Sequence, residues 1–491
     1  MLSYDDLTAP ERELWDAFPE GREVDLSGGE PQREALGAAE WGADRTVRAA
    51  VLSALLLGAN PARPGAVAGL RLRGARITGP LDLGGAEVTH LFWLRGCRLD
   101  ERIALQGATL ASVRMHDCRI PGIDAHLCRI EGSLNLYGTQ LDGQLGLNDA
   151  RISGQLHLTG VRITAPGDWA LPAGGLEMGG GVFCRLGFSA HGSVRFAGAR
   201  LGGGLFMEGA RIIAPGRLAL SADGASASVM DLTDGFAAAG TLDFTGVQVT
   251  DQLSLARADL SETDTVVCRR LQGGDLDFTP AAAPAKSVDL RGAKVATLHH
   301  GPDSWPAEVR LGDLQYESLH HTDPENVGMP ERIAWLRRSR GYSPQPYEQL
   351  AAWYRRIGHD HNARGVLLEK QRARRRTLRP LARLWGYLLD GAVGYGYRPW
   401  LAGLWLAVVA AAGSVVFGLA ERIQVKPDDE PGFHSLVYTL DLLVPIGGFG
   451  MRDEWRWEHG GVQALAYVLV AVGWILTTAV VAGVSRTLNR T

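Results

Sequence analysis

Residues 70–110 read LRLRGARITGPLDLGGAEVTHLFWLRGCRLDERIALQGATL, and their spacing decides the fold. The register is apolar-x-apolar-x-x-small-x-apolar, followed by three turn residues. The first copy is Leu70, Leu72, Ala75, Ile77. The next are Leu81, Leu83, Ala86, Val88, then Phe92, Leu94, Cys97, Leu99, then Ile103, Leu105, Ala108, Leu110. Further copies start at Val113, Ile123, Leu134, Leu145 and Leu156, ten or eleven residues apart. The register blurs through the Pro- and Gly-rich stretches 164–175 and 213–228. It returns at Val194, Leu205, Leu242, Leu253, Val288 and Val309.

Apolar residues at i and i+2 make a short strand with one buried face. The small residue and the apolar residue two further on make a second short strand. One copy is too short to bury a core, so copies must stack on one another. Two copies, about 22 residues, make one coil of a parallel β-helix, and residues 70–316 hold about eleven coils. The rule for parallel crossovers predicts a right-handed winding. The register resembles that of pentapeptide-repeat proteins with one extra residue in each pair of pentapeptides. That resemblance implies a mainly β architecture.

The rest of the 491 residues builds on this rod. Hydrophobic residues at 46% and charged residues at 21% exclude a disordered chain. The 63 glycines suit many tight turns. A net charge of −4 predicts no nucleic-acid partner. Five cysteines give no disulfide framework. Cys97, Cys118 and Cys128 fall on the small-residue position and read as core residues. The acidic start, MLSYDDLTAPERELWDAF, has no apolar segment of the kind a secretory signal needs.

Four units are expected. Residues 1–66 read as an N-terminal helical cap, in which Val47, Val51, Ala54 and Leu55 share a helical face. Residues 67–322 are the parallel β-helix. Residues 323–390 read as helical: a pair resembling a tetratricopeptide hairpin, then a basic helix suited to a membrane interface. Residues 391–491 hold two spans. Residues 399–420 and 462–485 carry no charge, and each exceeds the roughly 20 residues that cross a bilayer.

The basic residues Arg372, Arg374, Arg375, Arg376, Arg379 and Arg383 precede the first span. The 421–461 connection carries four basic and eight acidic residues. The positive-inside rule then puts both termini in the cytoplasm, with a bacterial inner membrane as the location. The lipid bilayer is the first partner, and the Arg cluster is placed to meet anionic lipid.

The connection contains HSLVYTLDLLVPIGGFG, residues 434–450. Its apolar half suits a short helix, and Gly447, Gly448, Phe449 and Gly450 follow. Span, short re-entrant helix over 433–450, Gly-rich strand and span resemble the layout of two-helix pore-loop channels. That resemblance implies backbone carbonyls over Ile446 to Gly450 that replace an ion's hydration shell. It also implies a charge contribution from Asp441 and a homo-oligomer, a tetramer if a channel. Ile446 stands where that family has Thr, and Met451 where an acidic residue often follows. The other reading is an interfacial hairpin capping a two-helix anchor whose rod recruits a cytosolic protein.

The order of cap, repeat, helix pair and GYGYRPW at 394–400 also resembles a group of actinobacterial membrane proteins, some labelled oxidoreductases. The residues themselves give no GxGxxG after a strand, no CxxC, no GxSxG, no P-loop and no HExxH, so no cofactor is expected. Two further patterns stay open. His299-His300 and His320-His321 lie one coil apart, so they either bind a metal or sense pH, or decorate a solvated turn. Outward arginines, among them Arg76, Arg98, Arg119 and Arg162, either dock an anion or pair with acids on neighbouring coils.

Overall fold

The computed structural model describes residues 3–28, 41–301, 303–322, 328–424, 432–444, 450–451, 455–457 and 460–488. They form two compact units, 1–349 and 350–491.

The first unit is a parallel β-solenoid. Its register can be followed down one core column: Leu70, Phe92, Val113, Leu134, Leu156, Val182, Leu205, Met230, Leu253, Leu276, Leu298 and Leu319. Each residue pairs in parallel with the next, which gives eleven steps. All twelve are buried. A side chain one position out of register would turn its face from core to solvent, so this alternation holds every coil in place. The column residues are 21 to 26 positions apart, as two repeat copies require. Cys97, Cys118 and Cys128 sit in the core as expected.

The two blurred stretches are where the coil is longer. Strands Arg162–Pro172 and Arg211–Ser221 each run eleven residues. Their pairing shifts across Ala165-Pro166-Gly167-Asp168 and Ala214-Pro215-Gly216-Arg217. Pro fixes φ and removes a ladder donor, so the strand bulges outward and resumes in register. The excursions lie close on the next coil. A Cβ on Gly192 would sit 2.5 Å from the Ala165 carbonyl oxygen.

The arginine column follows the predicted register, Arg76 to Arg98 to Arg119. Two of its arginines pair with acids. Arg76 meets Asp100 at 2.9 Å and Arg119 meets Asp142 at 2.7 Å. Arg151 and Arg200 share Glu177 from the coils on either side, each at 2.8 Å.

Both ends of the rod are closed. At the start, helices α1 (Ala9–Ala17) and α2 (Ala49–Leu56) bury Leu14, Leu52 and Leu55, and Phe18 of the 3-10 turn after α1 is buried with them. The cap is only partly helical. Val47 lies in a strand, Thr46–Arg48, that pairs with Arg76–Thr78, and α2 begins after it. The β-branched pair Thr46-Val47 extends the sheet instead of the helix. Buried Glu11 ties α1 to this strand through Arg48 at 2.6 Å. At the far end come α3 (Met329–Arg337) and α4 (Gln345–Arg356). The side-chain amides of Gln345 and Gln349 donate to the carbonyls of Leu314 and Tyr316, at 2.8 and 2.7 Å. Such contacts cover an edge that would otherwise pair with another strand.

Candidate functional site

In the second unit the sequence places long apolar runs without charges, and these form the longest helices. α5 is Asp360–Arg375, α6 Pro380–Val393, α7 Pro399–Leu419, α8 Ser435–Leu443 and α9 Gly460–Leu488. Two stretches are long and apolar enough to cross a membrane: Trp400–Leu419, of mean hydropathy 2.1, and Gly460–Thr478, of 1.7. Only 22% of each is buried. Leu404, Val408, Val415, Val468, Trp474 and Ile475 all face outward. Exposed apolar surface on this scale marks an interaction surface.

The short helix α8 packs against both long helices. Each long helix has a glycine at the contact. A Cβ on Gly413 would lie 2.5 Å from the Thr439 methyl, and one on Gly473 2.6 Å from the Leu443 Cα. Small residues of this kind let helix backbones approach. Polar groups turn inward here. The Ser414 and Ser435 hydroxyls are 3.0 Å apart, the Thr439 hydroxyl donates to the Ser435 carbonyl at 2.7 Å, and Thr439 and Asp441 are buried. An aromatic cluster closes one side of this core. The Trp457 indole N–H donates to the Tyr438 hydroxyl at 2.9 Å, and Phe417 stacks on Trp457 with centroids 4.9 Å apart. Trp457 belongs to an antiparallel ribbon, Arg422–Gln424 with Trp455–Trp457, which sequence reasoning missed. The signal was there, since W-x-W puts two indoles on one strand face.

Of the pore-loop candidates, Asp441 lies in α8 and is 1% exposed in the single chain, and Gly450 is exposed. Ile446, Gly447, Gly448 and Phe449 lie outside the described residues.

The six membrane-interface arginines divide. Arg372 holds Asp390 of α6 through a forked contact near 3.0 Å, and Arg375 meets the same carboxylate at 3.0 Å. Burial alone would raise the Asp390 carboxyl, yet the two guanidiniums hold it below the usual range. Arg375 also lies over the Tyr387 ring, 4.0 Å from its centroid. Arg374, Arg376, Arg379 and Arg383 are exposed. Beside them Leu381, Leu384 and Tyr387 of α6 form an exposed apolar stripe.

The four histidines come together at the last coils of the solenoid. His299 and His320 pair in register and stack with centroids 5.2 Å apart, and His300 and His321 meet edge to face at 4.9 Å. His299 has Asp275 at 3.8 Å. His300 is buried between Trp305 and Trp335, and its Nδ1 accepts from the Trp305 indole at 3.5 Å. Burial, then the charges of His321 and Arg332, lower its pKa to about 3. Among the described residues no three His, Cys, Asp or Glu side chains converge as a metal site. The five cysteines are all buried.

No family model matches the chain, no curated protein matches it, and no solved structure matches it.

Proposed function

We propose that this chain is an integral membrane protein whose C-terminal unit works as a pore-loop subunit, with the β-solenoid as its regulatory or partner-binding domain. The observation that carries it is α8, a nine-residue helix too short to span, held against two long helices whose outward faces are apolar. An anchor needs the two spans alone. A short helix seated on glycines, with a buried acid and a Gly-rich segment after it, is what a pore loop needs. Two spans cannot enclose a pore, so the working form is a homo-oligomer, a tetramer by analogy with such channels. The basic cluster of α5 and α6 supports cytoplasmic termini in a bacterial plasma membrane.

The mass of the detergent-solubilised particle tests this. A tetramer whose ion flux in vesicles changes with Gly448→Ala or Phe449→Ala, at unchanged expression, supports the reading. A monomer stable across gentle detergents overturns it. One observation favours a second reading, a tethered scaffold. The solenoid is sealed at both ends, so its long sides are its available surface. A monomer that captures a partner through those sides would establish it.

A further inference from the structure

One face of the solenoid sorts its charges by position along the rod. The column next to the core column runs from Arg71 to His320 in twelve rungs, each paired in parallel with the next. It holds Arg114 at the third rung, Phe183 at the sixth, Phe206 at the seventh and Asp277 at the tenth. The strand positions two before and two after it belong to the same face, since side chains alternate along a strand. Over these positions the first six rungs carry Arg71, Arg73, Arg95, Arg114 and Arg185, and no acid. The last six carry Glu208, Asp231, Asp275 and Asp277, and no lysine or arginine. None of these charged residues is buried.

Some of these charges are met within the chain. Arg73 meets Asp25 at 3.2 Å, Arg185 meets Glu208 at 2.6 Å, and Asp275 has His299 at 3.8 Å. Bordering turns add Asp117 and Glu131 to the first half, and Asp251 and Glu317 to the second. They also add Asp234, already paired with Arg257. Among the described residues, Arg71, Arg114 and Asp231 have no opposite charge within 4.0 Å. The first half therefore stays positive and the second negative. Between them lies an aromatic centre. Phe183 and Phe206 stack with centroids 5.1 Å apart, and the Arg185 guanidinium lies 4.7 Å from the Phe206 centroid.

We infer that two copies of this chain pair through this face, with their rods antiparallel about a twofold axis between the coils of Phe183 and Phe206. The face is complementary to itself in that arrangement alone. An axis along the strand direction sets the third rung of one copy against the tenth of the other, the fifth against the eighth and the sixth against the seventh. Arg114 then faces Asp277, His157 faces Asp231, and Arg185 of each copy faces Glu208 of the other. The two Phe pairs meet at the axis. An axis along the rod would instead set each rung against itself, arginine on arginine and acid on acid, which costs affinity. A partner of one charge would match only half of the face. The size fits as well. Twelve rungs at roughly 4.8 Å and a width of roughly 13 Å give roughly 700 Å² per rod. A standard interface takes roughly 800 Å² from each partner and has the same layout, aromatic at the centre and polar at the rim. The inference rests on the solenoid and not on the pore reading.

Disulfide trapping in the full chain in detergent tests it, read on a denaturing gel so that a tetramer held by the C-terminal unit does not enter the result. The native cysteines are all buried, so introduced ones report alone. Gln155→Cys with Val229→Cys places thiols on the fifth and eighth rungs, which face each other across the axis. Within one chain they are roughly 14 Å apart, too far to bridge. Mild oxidation is expected to give a covalent dimer with the double variant and not with either single one. Adding Arg114→Asp should lower the yield about tenfold, and adding Asp277→Arg to that should restore it. These two sites are seven rungs apart in one chain, so rescue acts only between copies. Arg98→Asp, on another face, should leave the yield unchanged. Far-ultraviolet dichroism confirms that each variant is folded. No dimer from the double variant overturns the inference, even if the particle is a tetramer. A dimer from Gln155→Cys alone overturns the antiparallel arrangement, and a loss with Arg114→Asp that Asp277→Arg does not rescue overturns the pairing of the two halves.

Discussion

The two units of this chain place their polar and apolar groups in opposite ways. The solenoid buries an unbroken apolar column and turns arginines, acids and amides outward, where they pair from coil to coil. The C-terminal unit exposes Val408, Val415, Val468 and Ile475 and buries Thr439 and Asp441. Each arrangement suits a different solvent. Water favours the first through the hydrophobic effect. Hydrocarbon removes that drive, and what holds helices together there is close packing and internal hydrogen bonds. Equal changes in the two units should therefore have unequal effects; two experiments measure that difference, and two more look for unequal effects inside each unit.

The largest expected effect is in the solenoid core. Phe196 is fully buried, and Phe196→Ala should cost about 3–5 kcal/mol through lost burial and the cavity left behind. Leu404→Ala on the outer face of α7, half exposed, should leave unfolding in lipid almost unchanged. Denaturant titration followed by Trp fluorescence reads both. Equal losses would mean that α7 packs against protein and not lipid.

The second experiment inserts one acid at two exposed apolar positions. Val408→Asp near the middle of α7 should cost about 2.5–3.5 kcal/mol of membrane insertion, measured by glycosylation mapping. Leu127→Asp, on the solenoid, should stay within about 0.5 kcal/mol of the parent. Leu127 is 68% exposed and has φ +57°, a conformation that Asp adopts more readily than Leu. If Val408→Asp inserts as well as the parent, the spanning assignment of α7 fails.

The third effect separates the two ends of the solenoid by pH. His300 has a folded pKa of about 3, below its unfolded 6.5. Its neutral form is the one the fold accommodates, so its full stability is present above pH 6.5 and is lost as pH falls toward 3. Between pH 6.5 and 5 the loss is about 2 kcal/mol. Glu11 behaves differently at the other end. Burial would raise its carboxyl, but hydrogen bonds from Arg48 and from the Thr8 and Arg48 backbone amides hold it at about 2. Its contribution is present above 4.5 and is lost as pH falls from there to about 2. Hydrogen exchange at pH 5.5 should therefore open the coils around Trp305 before those around Phe18. His300→Phe should remove that order. Simultaneous opening would show that the His300 environment is wetter than its burial suggests.

How much of this was legible in the sequence follows from the same physics. The solenoid was, because stacking forces one register and the repeat is written in single residues such as Ala75, Cys97 and Cys118. The bulges at Pro166 and Pro215 were visible only as lost register, since their geometry depends on the coil below. Val47 was misread as helical because helical and strand spacing agree over so short a run, and pairing with Ile77 decided it. The pairing of Gln248 with Gln272 was hidden. Gln248 and Gln272 lie 24 residues apart, and nothing in either neighbourhood marks them as neighbours. The arginines before α7 were visible as a cluster, but their division was not. Charge counts cannot say which guanidinium meets Asp390.

That division supplies the smallest and most discriminating test. Arg374 and Arg376 are exposed, so each should contribute about 1 kcal/mol to anionic-lipid binding. Arg374→Ala and Arg376→Ala should each reduce retention of phosphatidylglycerol in native mass spectrometry about fivefold and leave hydrogen exchange in α5 and α6 unchanged. Arg372→Ala should do the reverse. It strips Asp390 of its forked partner, leaves Arg375 to hold that carboxylate alone, and loosens α6 against α5 with little effect on lipid retention. If Arg372→Ala and Arg374→Ala behave alike, the cluster acts as one diffuse charge, and the pairing with Asp390 has no separate structural role.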